Sequence, residues 1–230
     1  MLQINNHSDK ILKKITFELK EHQNLIILGS NGAGKSTLAK VLCGITASEN
    51  VMINGVNLHK LKAQERTPLI NYVPAKLEIF DEYITLKEYL NLSRLYSLLE
   101  SENLLNFLEI AGLKDKSCQQ LSSGEQQLSM LATAVLHNAK ITIFDEPTAN
   151  LDPKKSQDIF SLLKSGLFQS KIIITHDLTL AYRLGYDVLY MENGEISFYE
   201  SSKKFFHSSN LDHYFGSSVK KIDNFIMVNL

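Results

Sequence analysis

The chain has 230 residues, of which 44% are hydrophobic and 21% charged, and its formal net charge is −1. This length and composition suit one large α/β domain or two smaller ones with a sizeable buried core. The near-neutral charge and the widely spaced arginines, Arg66, Arg94 and Arg183, exclude a broad nucleic-acid surface, because such a surface needs clustered cations. We therefore expect no nucleic-acid partner.

We expect neither a targeting signal nor a membrane span in this chain. The first residues, Met1–His7, lack the charged and apolar blocks of a secretory signal. No apolar run approaches the roughly 18 residues that a spanning helix requires. Cys43 and Cys118 are too few for a disulfide framework or a metal cluster and predict reduced thiols. Any action at a membrane would then occur through a partner.

The first 60 residues predict strands around one helix. Short strand patterns cover residues 2–4 and 15–19, and the continuous apolar run Leu25–Leu28 is typical of a strand that is buried on both faces. A helix is predicted from Lys35 through Leu42. The Asn-Gly pair within residues 51–56 predicts a hairpin turn.

The middle of the chain changes from strand patterns to helical ones. A short strand is predicted over Ile70–Val73 and is stopped by Pro74. Residues 86–110 are rich in Leu, Glu and Asn at helical spacing, with Thr85 and Ser101 as predicted N-caps. This segment predicts a small helical subdomain inserted between β-rich parts.

Strands and helices alternate again in the second half of the chain. The predicted elements are helices over 125–137, 155–164 and 178–184, strands over 141–144 and 171–175, a hairpin of 188–191 with 195–199, and an apolar stretch over 225–228. The alternation predicts an α/β fold with a mainly parallel sheet flanked by helices.

One glycine-rich segment matches the spacing G-x-x-x-x-G-K-[ST] of a phosphate loop, between a predicted strand and a predicted helix. Glycines let backbone N–H groups approach a polyphosphate closely, and the following helix directs its positive end at the anion. Lys35 would reach the β- and γ-phosphates, and the Ser36 hydroxyl would ligate Mg²⁺. The predicted nucleotide-binding residues are Gly29, Ser30, Asn31, Gly32, Ala33, Gly34, Lys35, Ser36 and Thr37.

Two acidic residues, Asp145 and Glu146, follow the apolar strand 141–144. Open α/β sheets bind their ligands at the carboxyl ends of the strands. An aspartate there suits Mg²⁺, and its neighbour could deprotonate an attacking water. By itself the pair also fits an ordinary acidic turn, and the phosphate loop favours the functional interpretation.

Two further features fit phosphate chemistry only in combination with the others. Ser122 and Gly124 precede a predicted helix and could form a second anion cradle, although Ser-Gly helix caps are common in any protein. His176 follows the strand 171–175 and could hydrogen-bond a γ-phosphate, whereas most such histidines are structural.

The order and spacing of these motifs resemble the ATP-binding-cassette (ABC) family over nearly the whole chain. The corresponding motifs are the Walker A loop at Gly29–Thr37, the signature at Leu121–Glu125, the Walker B strand at Ile141–Asp145 with the catalytic glutamate Glu146, the D-loop at Asn150-Leu151-Asp152, and the switch histidine His176. The resemblance implies a P-loop NTPase core with a mainly parallel sheet, an N-terminal antiparallel β subdomain (about 1–75), an inserted helical subdomain (about 82–123), a resumed core (about 124–200) and a C-terminal extension (201–230).

The resemblance also implies the chemistry and its partners. ATP and Mg²⁺ would be the cofactors, with Lys35, Glu146 and His176 catalytic and Ser36 and Asp145 on the metal. Two cassettes would face each other head to tail, most simply as a homodimer. The residues that would reach the ATP held by the partner cassette are Ser122, Gly124 and Asp152.

The sequence departs from the family pattern at several positions. The glutamine that contacts Mg²⁺ in the family is replaced by Ala75, the neighbouring Lys76 would repel the metal, and Glu78 is a candidate substitute. Ser123 stands where a second glycine is usual. The aromatic residue that stacks on adenine is missing, and His7, the nearest candidate, is more simply interpreted as a solvated histidine.

Weaker features resemble the ATPases of importers for iron-siderophore, haem or cobalamin, namely residues 57–61, 176–181 and 213–216. This resemblance implies a membrane permease bound at about residues 75–99, an indirect link to a substrate-binding protein, and a peripheral position on the cytoplasmic face of the membrane. The alternatives are the ATPase of another transporter (metal-ion, export or lipoprotein-release type), a soluble non-transport ABC ATPase, and a binding-only module, against which Glu146 and His176 argue.

Overall fold

The computed structural model describes residues 1–77, 81–149, 151–223 and 225–228. The strands are β1 (Leu2–His7), β2 (Ile15–Leu19), β3 (Leu25–Gly29), β4 (Val51–Ile53), β5 (Val56–Asn57), β6 (Ile70–Val73), β7 (Ile141–Asp145), β8 (Ser170–Ile174), β9 (Asp187–Glu192), β10 (Glu195–Glu200), β11 (Val219–Ile222) and β12 (Phe225–Val228). The helices are α1 (Lys35–Leu42), α2 (Ala63–Arg66), α3 (Leu86–Ser93), α4 (Ser101–Phe107), α5 (Ser123–His137), α6 (Pro153–Lys164), α7 (Leu178–Leu184), α8 (Ser202–Phe205) and α9 (Ser208–Phe215).

The chain divides into two compact units, residues 1–61 with 172–230, and residues 62–171. The first unit contains the strands β10, β9, β3 and β8 side by side, with β3 parallel to both β8 and β9. Every residue of the predicted strand Leu25–Leu28 is fully buried, as its apolar run requires. The hairpin β9–β10 supplies the antiparallel edge.

A second, antiparallel sheet in the first unit has the strand order β2-β1-β4-β5. The predicted turn within 51–56 is confirmed, with Asn54 and Gly55 both at positive φ between β4 and β5. The predicted α/β fold with a mainly parallel sheet and an N-terminal antiparallel β part is therefore confirmed. The domain boundaries predicted above remain a prediction.

The second unit pairs β6 and β7 in parallel and packs α3 against α5. The predicted N-cap Thr85 is confirmed, since its Oγ1 accepts a hydrogen bond from the Glu88 backbone N–H at 3.3 Å. The predicted helical stretch 86–110 forms two helices, α3 and α4. None of the described helices is long and apolar enough to cross a membrane.

The predicted N-cap Ser101 is wrong. Glu100 occupies the cap position of α4, and Ser101 is the first residue of the helix. The Ser101 hydroxyl instead donates to Asn91 Oδ1 at 2.9 Å, which joins α4 to α3. The Arg94 guanidinium and the Glu100 carboxylate form a bidentate ion pair across the loop between these helices. This pair holds Glu100 at the position just before α4.

Candidate functional site

The phosphate loop of the first unit connects β3 to α1, and two of its glycines are sterically required. A Cβ on Gly29, whose φ is 151°, would lie 2.3 Å from the carbonyl oxygen of Met191. A Cβ on Gly34, whose φ is 98°, would lie 2.9 Å from Leu12 Cδ2. Both positions therefore exclude larger side chains, and the backbone can turn tightly into α1.

Lys35 lies inside this loop and is only 7% exposed. Its ammonium group donates hydrogen bonds to the carbonyl oxygens of Gly29 at 2.8 Å and Ser30 at 3.0 Å. The loop thus holds a positive charge next to the N-terminus of α1, where exposed Ser36 and half-buried Thr37 begin the helix. A buried cation at a helix N-terminus is suited to binding a polyphosphate.

His176 lies at the same sheet edge as the phosphate loop. Strands β3 and β8 are parallel with Ile27 opposite Ile174. Gly29 is the last residue of β3 and His176 lies two residues beyond β8, so both lie at the carboxyl ends of neighbouring strands. The imidazole is exposed. The next residue, Asp177, caps α7 through a hydrogen bond from the Leu180 N–H at 2.9 Å. The predicted γ-phosphate contact and the predicted phosphate loop therefore lie at the same edge of the sheet.

In the second unit, Asp145 ends β7 and is 5% exposed. Its Oδ2 accepts a hydrogen bond from the Tyr72 hydroxyl at 2.9 Å. Its Oδ1 is buried and has no hydrogen-bond partner among the described residues. An unpaired carboxylate oxygen at a strand end fits a hard cation such as Mg²⁺ or a water bound to it.

Glu146 follows Asp145 in the left-handed region, with φ of 49°. A non-glycine residue in that region costs about 1–3 kcal/mol and is concentrated at functional sites. The side chain is half-buried. The backbone therefore leaves the extended conformation at Glu146, directly after the last residue of β7.

The predicted trans residues begin two helices of the second unit. Exposed Ser122 caps α5, because its Oγ accepts a hydrogen bond from the Glu125 N–H at 3.4 Å. The backbone N–H of Ser122 donates in turn to Glu125 Oε2 at 2.8 Å. This second hydrogen bond lowers the pKa of Glu125. Buried Gly124 admits no Cβ without a 2.9 Å contact to Lys155 Cγ. Exposed Asp152 caps α6 by accepting from the Lys155 N–H at 2.9 Å.

Other predicted positions are placed as follows. Ala75 and Lys76 are exposed, whereas Glu78 and Asn150 lie outside the described residues.

The interpretation of His7 as solvated is wrong. His7 is 6% exposed, its Nδ1 lies 3.0 Å from Ser48 Oγ, and its Nε2 lies 3.5 Å from Asp9 Oδ2. A ring buried and paired in this way is not placed to stack on adenine.

Sequence reasoning missed Tyr72. Its half-buried hydroxyl contacts the predicted metal ligand, yet the sequence shows only a tyrosine in a short apolar strand. The contact between Tyr72 and Asp145 depends on the pairing of β6 with β7, in which Tyr72 stands opposite Ile143. That register cannot be read from either strand alone.

Comparisons with known proteins agree with this geometry. The chain is 34% identical over 85% of its length to the molybdate/tungstate import ATP-binding protein WtpC of Methanocaldococcus jannaschii, covering 69% of that protein. It is 30% identical over its full length to the energy-coupling factor transporter ATP-binding protein EcfA1 of Fusobacterium nucleatum, covering 91% of it. It is 33% identical over 81% of its length to an ABC transporter ATP-binding protein of Clostridium tetani, and spans only 45% of that protein.

A solved dimeric structure of a bacterial ABC transporter cassette matches 88% of this chain and 99% of its own, with a TM-score of 0.75 and 25% identity. The family model described as ABC transporter matches residues 12–149, which contain the phosphate loop, the signature and the β7 carboxylates. This chain therefore belongs to the ABC transporter family, as an ATP-binding cassette of the ATP-hydrolysing kind.

Proposed function

We propose that the chain is the ATP-hydrolysing subunit that powers a membrane transporter, working as two copies that close over two ATP·Mg²⁺. The observation that carries the proposal is the buried Lys35 ammonium within a loop that admits only glycine at Gly29 and Gly34. Such a loop binds a nucleoside triphosphate through backbone N–H groups and one lysine.

The described residues fit the steps of hydrolysis. Lys35 and the loop N–H groups would bind the phosphates. Ser36 and Asp145 would hold Mg²⁺, and Asp145 Oδ1 is a buried acceptor with no hydrogen-bond partner among the described residues. The metal neutralises phosphate charge when bound. Glu146 orients and deprotonates water, and His176 hydrogen-bonds the γ-phosphate.

Two copies would complete each site. Ser122 and Asp152 are exposed, and they are the N-cap residues of α5 and α6. Such a helix tip binds an anion, and a symmetric dimer would present it to the ATP of the other copy. Ser122, Gly124 and Asp152 of one copy would then act in trans on the other.

The permease-binding surface is proposed at about residues 75–99. The described part of this range exposes large apolar side chains in α3 and in the non-helical segments before and after it: Tyr83, Leu92, Leu95, Tyr96 and Leu98. Exposed apolar surface of this kind marks an interaction site. We place the subunit on the cytoplasmic face of the membrane through this contact.

The proposed substrate class is an iron complex or cobalamin taken up by import, with a substrate-binding protein upstream. The importer class is supported by the relative from M. jannaschii, which is a molybdate/tungstate import ATP-binding protein. That relative does not concern iron or cobalamin, so the iron branch rests on residues 57–61, 176–181 and 213–216 alone.

The transport proposal is tested by purifying the tagged chain from its own cell. We expect a polytopic membrane protein to accompany it in stoichiometric amount. Replacing Leu92 and Leu98 together by aspartate should abolish recovery of that protein but keep ATP binding. The matched control is Ile222→Asp, at an apolar position of the other unit that is 46% exposed. Recovery of a soluble ATPase with no membrane protein would instead support the non-transport class.

Ala75→Gln is expected to restore the metal contact that this chain lacks. The exposed methyl group of Ala75 can neither ligate nor hydrogen-bond. One added polar contact to a charged group is worth about 1.5 kcal/mol, so the Mg²⁺ concentration for half-maximal hydrolysis should fall roughly tenfold. Ala75→Leu, which adds similar bulk without an oxygen, is the control. An unchanged rate and unchanged Mg²⁺ dependence in Ala75→Gln would contradict this expectation.

A further inference from the structure

Tyr72 and Asp145 lie on the same face of the β6–β7 pair. In the parallel register Tyr72 stands opposite Ile143, and Asp145 lies two residues beyond Ile143 on the same strand. Side chains two residues apart along a strand share a face. The Tyr72 ring therefore extends along this face to the strand end, where its hydroxyl donates to Asp145 Oδ2 at 2.9 Å.

The two oxygens of Asp145 are consequently in different situations. Oδ2 accepts from the tyrosine, whereas Oδ1 is buried with no hydrogen-bond partner among the described residues. A buried carboxylate oxygen without a hydrogen bond has lost its hydration without compensation. A cation or its bound water removes that cost, and the bond at Oδ2 fixes which oxygen is presented to it.

We propose that Tyr72 is a positioning residue that fixes the rotation of the Asp145 carboxylate, so that Oδ1 is presented to the nucleotide-bound metal. This inference rests on the proposed function, in which Asp145 holds Mg²⁺. Side chains that hydrogen-bond a ligating group change metal affinity by about 10- to 100-fold.

The competing interpretation is that the bond only ties β6 to β7. In that case losing the hydroxyl would lower the melting temperature but leave metal affinity unchanged. Tyr72→Phe separates the two, since it removes one oxygen atom and keeps the aromatic ring. The Asp145 carboxylate would keep its place at the end of β7 but lose the bond that fixes its rotation.

The test is an electron paramagnetic resonance titration of Mn²⁺ into the chain, held in excess over a non-hydrolysable ATP analogue so that the analogue is bound. We expect the dissociation constant for Mn²⁺ to rise about 10- to 100-fold in Tyr72→Phe. Affinity for a fluorescent ATP analogue in EDTA should stay unchanged, because the phosphate loop is intact. Tyr72→Met, which also lacks the hydroxyl, serves if the first variant does not fold.

Tyr214→Phe is the matched control, because it removes a tyrosine hydroxyl that donates to the Ser197 carbonyl at 3.0 Å in the other unit. It should leave Mn²⁺ affinity unchanged. Equal Mn²⁺ affinity in wild type and in Tyr72→Phe overturns the inference and leaves the proposed function standing. If wild type binds neither the analogue nor Mn²⁺ with it, the proposed function itself fails.

Discussion

Replacing Glu146 by glutamine is expected to lower ATP hydrolysis about 10²- to 10⁴-fold, the usual contribution of a positioned general base. The variant keeps the shape and the backbone conformation of the residue but cannot accept the proton of the attacking water. ATP binding should be retained, because the phosphate loop and Asp145 are unchanged. Phosphate release at steady state and equilibrium binding of ATP measure the two effects separately.

Glu109→Gln is a closely matched control for this prediction. Glu109 is also a glutamate in the left-handed region, with φ of 57°, and it lies in the same unit. Its carboxylate is 3.9 Å from the Lys154 ammonium on the surface, where an ion pair contributes little. This variant should hydrolyse ATP as wild type does. If Glu146→Gln hydrolyses ATP as fast as Glu109→Gln, Glu146 is not the base.

Local signals were sufficient for most elements of the fold. The apolar run Leu25–Leu28 became a fully buried strand, and the Asn-Gly pair 54–55 became a turn, because each depends on residues close in sequence. The phosphate loop was located in the same way from its glycine spacing, whereas its close contacts with Leu12 and Met191 depend on the fold. Thr85 caps α3 because its partner Glu88 is only three residues away.

The errors and omissions involve residues distant in sequence. Ser101 has a good capping side chain, but its hydroxyl bonds Asn91 of another helix. His7 was expected to be solvated, but Ser48 approaches it from 41 positions along the chain. Tyr72 and Asp145 are 73 positions apart, and their contact exists only because β6 and β7 pair in one register. Such contacts require the tertiary structure, which single-sequence patterns do not contain.

The second large effect concerns the proposed dimer. Lys35→Ala should lower hydrolysis about 10²- to 10³-fold, as expected for losing one preorganised positive group at the phosphates. Ser122→Asp should also abolish most activity, because it places a carboxylate where the partner's γ-phosphate is proposed to bind. Aspartate and serine are N-caps of similar strength, so the start of α5 should be preserved in this variant. Ser122→Asn, an uncharged cap, should lose less activity.

Mixing Lys35→Ala with Ser122→Asp should restore activity that neither variant has alone. A mixed dimer would hold both defects in one site and leave the other site with an intact phosphate loop and an intact Ser122. With random pairing about half of the dimers are mixed, and each has one intact site, so about a quarter of the wild-type rate should return. Steady-state phosphate release from mixtures of differently tagged variants measures this.

Mixing Lys35→Ala with Glu146→Gln provides the discriminating control. Both residues are proposed to act on the ATP of their own copy, so each site of a mixed dimer would contain one defect and no activity should return. Recovery in the Ser122 mixture alone would mean that the α5 tip acts across the dimer. Recovery in neither mixture, with mixed dimers demonstrated by their tags, would contradict the trans role of Ser122, because the serine would then serve only as the cap that the structure shows.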